Sequence, residues 1–515
     1  MKKYLLRNLI VPLEANPDLK AQTSRKLQIH PNRIESLTVN RRSLDARKKN
    51  NLKYNYTLEL EFNTPPTSHP DLAELVCKEE MLFNPVPLSS AHPIIIGAGP
   101  AGLFAALALV EKGFSPLVFD QGEQISERKS KVQDFWKNGI LDPDSNVQFG
   151  EGGAGTFSDG KLTARSRDKT TDIIFNYLIQ FGANPDILID SLPHLGTDTL
   201  ESIITNLRIF LEKHGCQFLW KHKLKAIEIG DNRIKSVRIN DNIYHPEITI
   251  LAPGNSARDT FALLHSSSVP LESKDFAIGF RIEHTQEYIN STFYGEKTDF
   301  SLTGPATYRL VRNLEQRSVF SFCMCPGGQV VNGASEAGGV VTNGMSNSKR
   351  SSRFANSALV TGVSSKDFGT DLFAGVRFQQ KLEKEAYRDR FTAPAQSAKD
   401  FVGNTLAKHV IKTSFLPETY ACNLNNLFSL AVSTALKTAL SHWERQFPGF
   451  VKEGNIIAPE TRTSSPIRII RDIYSRHSIN IKNLYPIGEG AGYAGGIVSS
   501  AADGWKTGSL FVLKK

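Results

Sequence analysis

The residues best suited to chemistry sit in a few glycine-rich segments, and the most informative reads His92-Pro-Ile-Ile-Ile-Gly97-Ala-Gly99-Pro100-Ala101-Gly102. A short apolar run ends in three glycines at G-x-G-x-x-G spacing, and an apolar stretch of helical length follows. Residues 117–120 add a second apolar run ending in Asp120. Each part has a physical job. Gly97 allows a tight turn out of a strand, Gly99 lets backbone N–H groups approach a pyrophosphate, and Gly102 lets the helix pack close to the sheet. Pro100 and Ala101 open that helix. Asp120, with Gln121 beside it, can accept hydrogen bonds from ribose hydroxyls. Strand, glycines, helix, strand and acid in this order predict a dinucleotide site.

Two further glycine segments point to the same chemistry. Near the C-terminus, Gly488-Glu489 and Gly495-Gly496-Ile497 read as a strand, a turn and a helix rich in small residues. The N-terminus of such a helix offers positive partial charge and free N–H groups to a ligand. In residues 150–161, Gly152, Gly153 and Gly155 could bring N–H groups to the same ligand, the alternative being a crossover loop without one. Asp159 and Lys161 follow as a candidate proton donor and electrostatic partner; a surface salt bridge explains them almost as well. Arg128 could reach toward the cofactor from the next helix, or be a surface charge. Arg462, just before the C-terminal segment, could bind a substrate carboxylate bidentately or be tied into a loop network. Cys323-Met-Cys325 lacks the two-residue spacer of a thioredoxin-type pair, and packing at a strand end is the favoured reading. No Cys/His cluster or H-E-x-x-H occurs in the sequence, so no metal is expected.

These motifs must be positioned by regular elements. Alternation predicts strands at 54–62, 34–39 and, more weakly, 27–30, with a loop at 64–70 and a stiff Pro-Val-Pro linker at 85–87. Helices are expected at 126–136 and 200–213, and strands at 216–220, 224–229, 234–239 and 248–254, the last running into Gly254. Strands at 276–282 and 319–325 and helices at 375–388 and 427–445 mark a change of pattern. Residues 335–364, rich in Gly, Ser and Asn, read as long loops. The predicted fold is α/β: a Rossmann-like cofactor domain split in sequence (91–267 and 453–515), an inserted α+β substrate or cap domain (268–452), and a small basic α+β domain (1–88).

Composition narrows the class. The chain has 515 residues, 40% apolar and 22% charged, with no apolar run long enough to cross a bilayer. Five scattered cysteines argue for reduced thiols and a cytoplasmic protein. The net charge of +9 is carried entirely by residues 1–54, with thirteen Lys/Arg against four Asp/Glu. That domain could meet an anionic partner, or simply present a solvated basic face.

Gly97-x-Gly99-x-x-Gly102 with Asp120, residues 251–254 and Gly488-Glu489 together resemble the two-part FAD domain of the glutathione-reductase-like flavoproteins. Within that superfamily the chain resembles the uncharacterised FAD-dependent dehydrogenase family, also described as NAD(FAD)-utilising. The matching pieces include Arg42-Ser-Leu-Asp-Ala-Arg47, residues 148–162, 194–198 and 460–466, and Cys325-Pro-Gly-Gly-Gln-Val330. The resemblance implies bound FAD, with Asp120 on the adenosine ribose and Glu489 on a hydroxyl of the ribityl–pyrophosphate region. The family usually has Glu where this chain has Asp120. The helix at Gly495-Gly496 would stabilise negative charge on the reduced ring. The expected function is an FAD-dependent oxidoreductase acting on a small molecule. No second G-x-G-x-x-G follows a strand in 270–450, so NAD(P)H would be at most a transient electron donor. The alternatives are a flavin monooxygenase or a flavoprotein that docks on RNA or protein through its basic domain.

Overall fold

The computed structural model describes residues 2–514 apart from 65, 67, 76–84, 163–168 and 407–408. Cys77 and two positions of the 64–70 loop lie outside the described residues. Three consecutive isoleucines form the strand Ile94–Ile96, buried on both faces, as a central parallel strand must be. It lies at the middle of a five-stranded parallel sheet with Thr249–Leu251 and Leu484–Pro486 on one side and Leu117–Asp120 and Gln217–Trp220 on the other. Segments far apart in sequence, Ile94–Ile96 and Leu484–Pro486, thus flank one strand.

The helix Pro100–Glu111 follows the first glycines and is buried from Ala101 to Leu109. It packs against Ile497–Gly508, which returns from the C-terminal glycines. Glycine is required at this contact. A Cβ on Gly504 would lie 1.9 Å from the Ala101 carbonyl oxygen, and one on Gly508 would lie 2.5 Å from that of Ala105.

A seven-stranded mixed sheet forms the second large layer, in the order Val311–Asn313, Ser318–Cys325, Phe354–Val363, Phe276–Thr285, Asn455–Glu460, Ala393–Ser397, Thr419–Ala421. Two sequence expectations change here. Phe354–Val363 lies in the region read as loops, yet it is a buried strand paired along its whole length with Phe276–Thr285. Burial on both faces removes the alternation that would have marked it. Asn455–Glu460 pairs with Phe276–Thr285 and Ala393–Ser397, so the chain leaves this sheet only after Glu460, later than the expected boundary at 453.

The N-terminal region is a four-stranded antiparallel sheet, Ile34–Asp45, Lys53–Phe62, Lys3–Pro12 and Leu72–Glu74. The weak strand expected at 27–30 is instead the end of helix Leu19–Leu27, capped by Asp18 at its start and by left-handed Gln28 at its end. The Pro-Val-Pro linker also differs: Val86–Leu88 pairs in parallel with Phe511–Leu513, so edge pairing accommodates its prolines. No helix among the described residues is long and apolar enough to cross a membrane.

Gly504→Ala is expected to force the two helices apart and cost about 1–3 kcal/mol, the usual range for overpacking. Urea denaturation should show a lower midpoint; an unchanged midpoint would mean that the helices separate freely.

Candidate functional site

The C-terminal ends of the parallel strands open onto a cavity of about 2500 Å³. Pockets for one small ligand span roughly 300–1,000 Å³, so this one has room for a dinucleotide and a second molecule. All three glycine segments reach it. Gly97, Gly99, Pro100, Ala101, Asp120 and Gln121 line it from the first segment, and Gly153, Gly155, Asp159 and Lys161 from the second. Gly254, Gly488, Glu489, Gly495, Gly496, Ile497 and Arg462 complete the set.

The walls show where a ligand's phosphates would fit. Helices Pro100–Glu111 and Ile497–Gly508 start at Gly99 and Gly496, and neither N-terminus has a side-chain cap. Their first N–H groups therefore remain free for an anion. A Cβ on Gly254, Gly495 or Gly496 would meet nothing within 4 Å, and one on Gly99 only the Gly153 Cα at 3.8 Å. These backbones are open to the cavity and leave the space in front of them clear. Gly97 and Gly102 have the expected packing roles: Cβ atoms there would lie 2.1 Å from the Ala252 oxygen and 1.9 Å from the Gly97 oxygen.

Asp120 is tied into the first glycine turn. Its Oδ2 accepts from the Ala98 N–H and its Oδ1 from the Gly122 N–H, both at 2.8 Å, so it fixes that turn. Burial raises its carboxyl above the ordinary value despite these donors. Glu489 accepts from Asn255 Nδ2 at 2.8 Å, and burial pushes its carboxyl up to about 7. A carboxyl poised there can either accept a hydrogen bond from a ligand hydroxyl or donate one to an oxygen.

Three of the expected site residues have other duties. Arg128 does not line the cavity. It is fully buried behind residues 146–153 and donates to the carbonyls of Asn146, Val147, Glu151 and Gly153 at 2.5–2.9 Å. It shapes the glycine passage rather than touching a ligand. Gly152 faces inward, where a Cβ would strike Thr156 and Ile204. Asp159 is held as an anion by two cations. Burial alone would raise its carboxyl, but Lys161 at 2.6 Å and Arg350 at 3.0 Å hold it below the usual value as an anion.

Arg462 lines the cavity with its donors already engaged. Nε and Nη2 grip Glu383 at 3.1 and 2.9 Å, and Nη1 donates to Ser256 and Ser335. Arg258 holds the same carboxylate from the other side at 2.8 and 2.9 Å. The network joins the helices Arg258–Ser266 and Ala374–Ala386 to the segment returning to the cavity. Sequence reasoning missed Glu383, Arg258 and Asp503 because nothing local marks them. Asp503 pairs with Arg471 and Arg476 and accepts the Gly488 N–H at 2.8 Å, bracing the C-terminal turn.

The basic N-terminal sheet contributes to the cavity. Arg42 and Tyr54 line it. Arg42 bonds Asp186 and Asp190 at 3.1 and 2.8 Å, and the Tyr54 hydroxyl donates to the Leu302 carbonyl at 2.6 Å. At least part of that sheet's charge is therefore neutralised within the chain.

Comparisons with known proteins find family matches for three segments of the chain. Residues 95–144 match an NAD(P)-binding Rossmann-like domain, and residues 275–463 match an FAD-dependent protein, C-terminal domain-like. Residues 1–61 match a domain of unknown function. A Clostridium beijerinckii protein described as "Uncharacterized protein" is 38% identical, with 96% of each chain covered. Similar solved structures include CtdE in complex with FAD (9% identity, 82% of this chain and 83% of that one, TM-score 0.31). Another is a geranylgeranyl bacteriochlorophyll reductase-like protein from Thermoplasma acidophilum (11% identity, 81% and 76%, TM-score 0.34).

Arg462→Met should destabilise the fold by about 1.5–3 kcal/mol near neutral pH, the range for hydrogen bonds to charged groups. The pH dependence follows from Glu383, whose carboxyl is buried yet lowered from 4.5 to about 2 by Arg462 and Arg258. A depressed carboxyl contributes stability that is complete above 4.5 and is lost as pH falls toward 2. The gap between wild type and variant in urea midpoints should therefore narrow as pH falls through that window. A gap independent of pH would count against this role.

Proposed function

We infer the function from one premise: the chain belongs to the FAD-dependent oxidoreductase-like family, and its cofactor is FAD. On that premise we propose that FAD lies in the cavity described above. There the chain passes a hydride or electron pair between FAD and a small-molecule substrate. The supporting observation is the convergence of three glycine segments and two uncapped helix N-termini on one cavity.

Bound FAD supplies a ring that takes up or gives back two electrons with a proton. The chain's own residues do the rest. Free N–H groups of Gly99 and Ala101 and at the start of Ile497–Gly508 would hold the pyrophosphate and stabilise negative charge on the reduced ring. Asp120 fixes the first turn and accepts from the ribose. Glu489, near neutrality, accepts from a ligand hydroxyl when ionised and donates to a phosphate oxygen when protonated. Lys161 keeps a positive charge beside the cavity, anchored by Asp159 at 2.6 Å. The remaining volume, bounded by Arg42, Tyr54, Thr342 and Cys323, receives the substrate, or NAD(P)H as a transient electron donor.

Gly99→Val is expected to abolish FAD retention, because its methyls would occupy the space in front of the helix N-terminus; visible absorbance of the purified chain reports the result. Anaerobic mixing of the wild-type protein with NADH or NADPH should bleach the flavin band. A Gly99→Val chain that purifies fully yellow would place FAD elsewhere.

A further inference from the structure

The chain carries a pair of thiols in this cavity that the proposed hydride or electron transfer does not use. Strand Ser318–Cys325 pairs regularly with Phe354–Val363 as far as Phe322 opposite Ala358, but the next pair is Cys325 opposite Asn356. The register slips there, and the slip falls at Cys323 and Met324. Cys323 takes φ 47°, a left-handed conformation that side chains other than glycine, Asn and Asp rarely adopt.

This bulge changes what a Cys-x-Cys spacing can do. On a regular strand, residues two apart sit roughly 6.6–6.8 Å apart with parallel side chains. That is the outer edge of the Cα separation a disulfide spans, about 4.4–6.8 Å. Here the bulge folds Cys325 back on Cys323, so that its Sγ donates to the Cys323 carbonyl oxygen at 3.2 Å. Such a backbone persists only where its surroundings hold it. Arg281 does so: it is fully buried and gripped bidentately by Glu460 at 2.9 and 3.0 Å. Its Nη1 donates to the Cys323 carbonyl at 3.1 Å and to Asn356 at 2.9 Å, and points at Cys325 Sγ at 3.9 Å.

Cys323 lines the cavity; Cys325 lies buried behind it. The charged groups facing the pair are Arg281 on strand Phe276–Thr285 of the same sheet and Lys161 and Asp159 from the glycine passage, with Glu460 behind Arg281. The Cys325 thiol, with Lys161 and Arg281, holds Cys323 well below the ordinary thiol range, while Cys325 is pushed above it. Burial instead raises Cys216 to about 12 and Cys422 to about 11, and neither lines the cavity.

We propose that Cys323 and Cys325 are a second two-electron centre, a dithiol that closes to a disulfide by reducing FAD in the same cavity. The balance is complete within the pair and the flavin. The Cys323 thiolate and the Cys325 thiol form one S–S bond, releasing two electrons and the Cys325 proton, and the flavin takes up both electrons and the proton. The reverse step reopens the disulfide. The proposal rests on FAD occupying this cavity.

The test is an anaerobic dithionite titration of the fully oxidised, FAD-loaded chain, with thiols then counted by alkylation and mass spectrometry of the tryptic peptide 318–349. The wild type should consume twice the reductant per FAD that Cys325→Ser consumes. Its oxidised peptide should lack two hydrogens and take no label, and its reduced peptide should take two. Consumption of one equivalent per FAD in the wild type, with two labelled thiols in the oxidised chain, would overturn the dithiol while leaving the flavin site intact. FAD retained by Gly99→Val, read from absorbance alone, would overturn the placement of the cofactor.

Discussion

The site depends on backbones approaching more closely than side chains allow. Helices Pro100–Glu111 and Ile497–Gly508 can bring both N-termini to one cavity only because Gly504 and Gly508 present no Cβ to the Ala101 and Ala105 carbonyls. The same condition holds where Gly102 meets Gly97 and where a Cβ on Gly153 would lie 3.2 Å from the Gly99 Cα. Together these contacts concentrate unpaired N–H groups, and the positive ends of two helix dipoles, at one place. A pyrophosphate is the kind of group such a place holds best.

Backbone packed this tightly needs bracing, and the chain braces it with buried charge. Arg128 gathers the carbonyls of residues 146–153, Asp120 pins the first turn, and Asp503 pins the Gly488 turn. Glu383 between Arg258 and Arg462 ties the seven-stranded layer to the cofactor layer. Burying an ion is costly unless it is paired or hydrogen-bonded: Asp503 and Glu383 are met by arginines, Arg128 by backbone carbonyls and Asp120 by backbone N–H groups. Their side chains are therefore committed, which is why Arg128, Asp159 and Arg462 act as supports although their types and positions suggested contact with ligand.

The groups with freedom left are fewer: Glu489, poised near neutrality, Lys161 beside the cavity, and the thiol of Cys323 on its bulge. Their setting is assembled from three layers, with Arg42 and Tyr54 of the N-terminal sheet closing one wall. Long-range packing thus decides which polar residues face the ligand and which are consumed within the protein.

The cofactor region was legible in the sequence because its requirements are local. A glycine turn, a helix start and a strand-end acid must follow one another at fixed spacing, so Gly97, Gly99, Gly102, Asp120 and the Gly488–Ile497 passage could be read directly. Buried strands lacking alternation, such as Phe354–Val363, could not, nor could the register slip at Cys323 and Met324. The amino-acid sequence by itself determined where backbone without side chains gathers at dinucleotide-binding spacing. Only the tertiary structure decided which charges are spent on bracing and which remain for chemistry, because a buried ion's partners come from elsewhere in the chain, 79 residues away for Arg462 and 125 for Arg258 at Glu383.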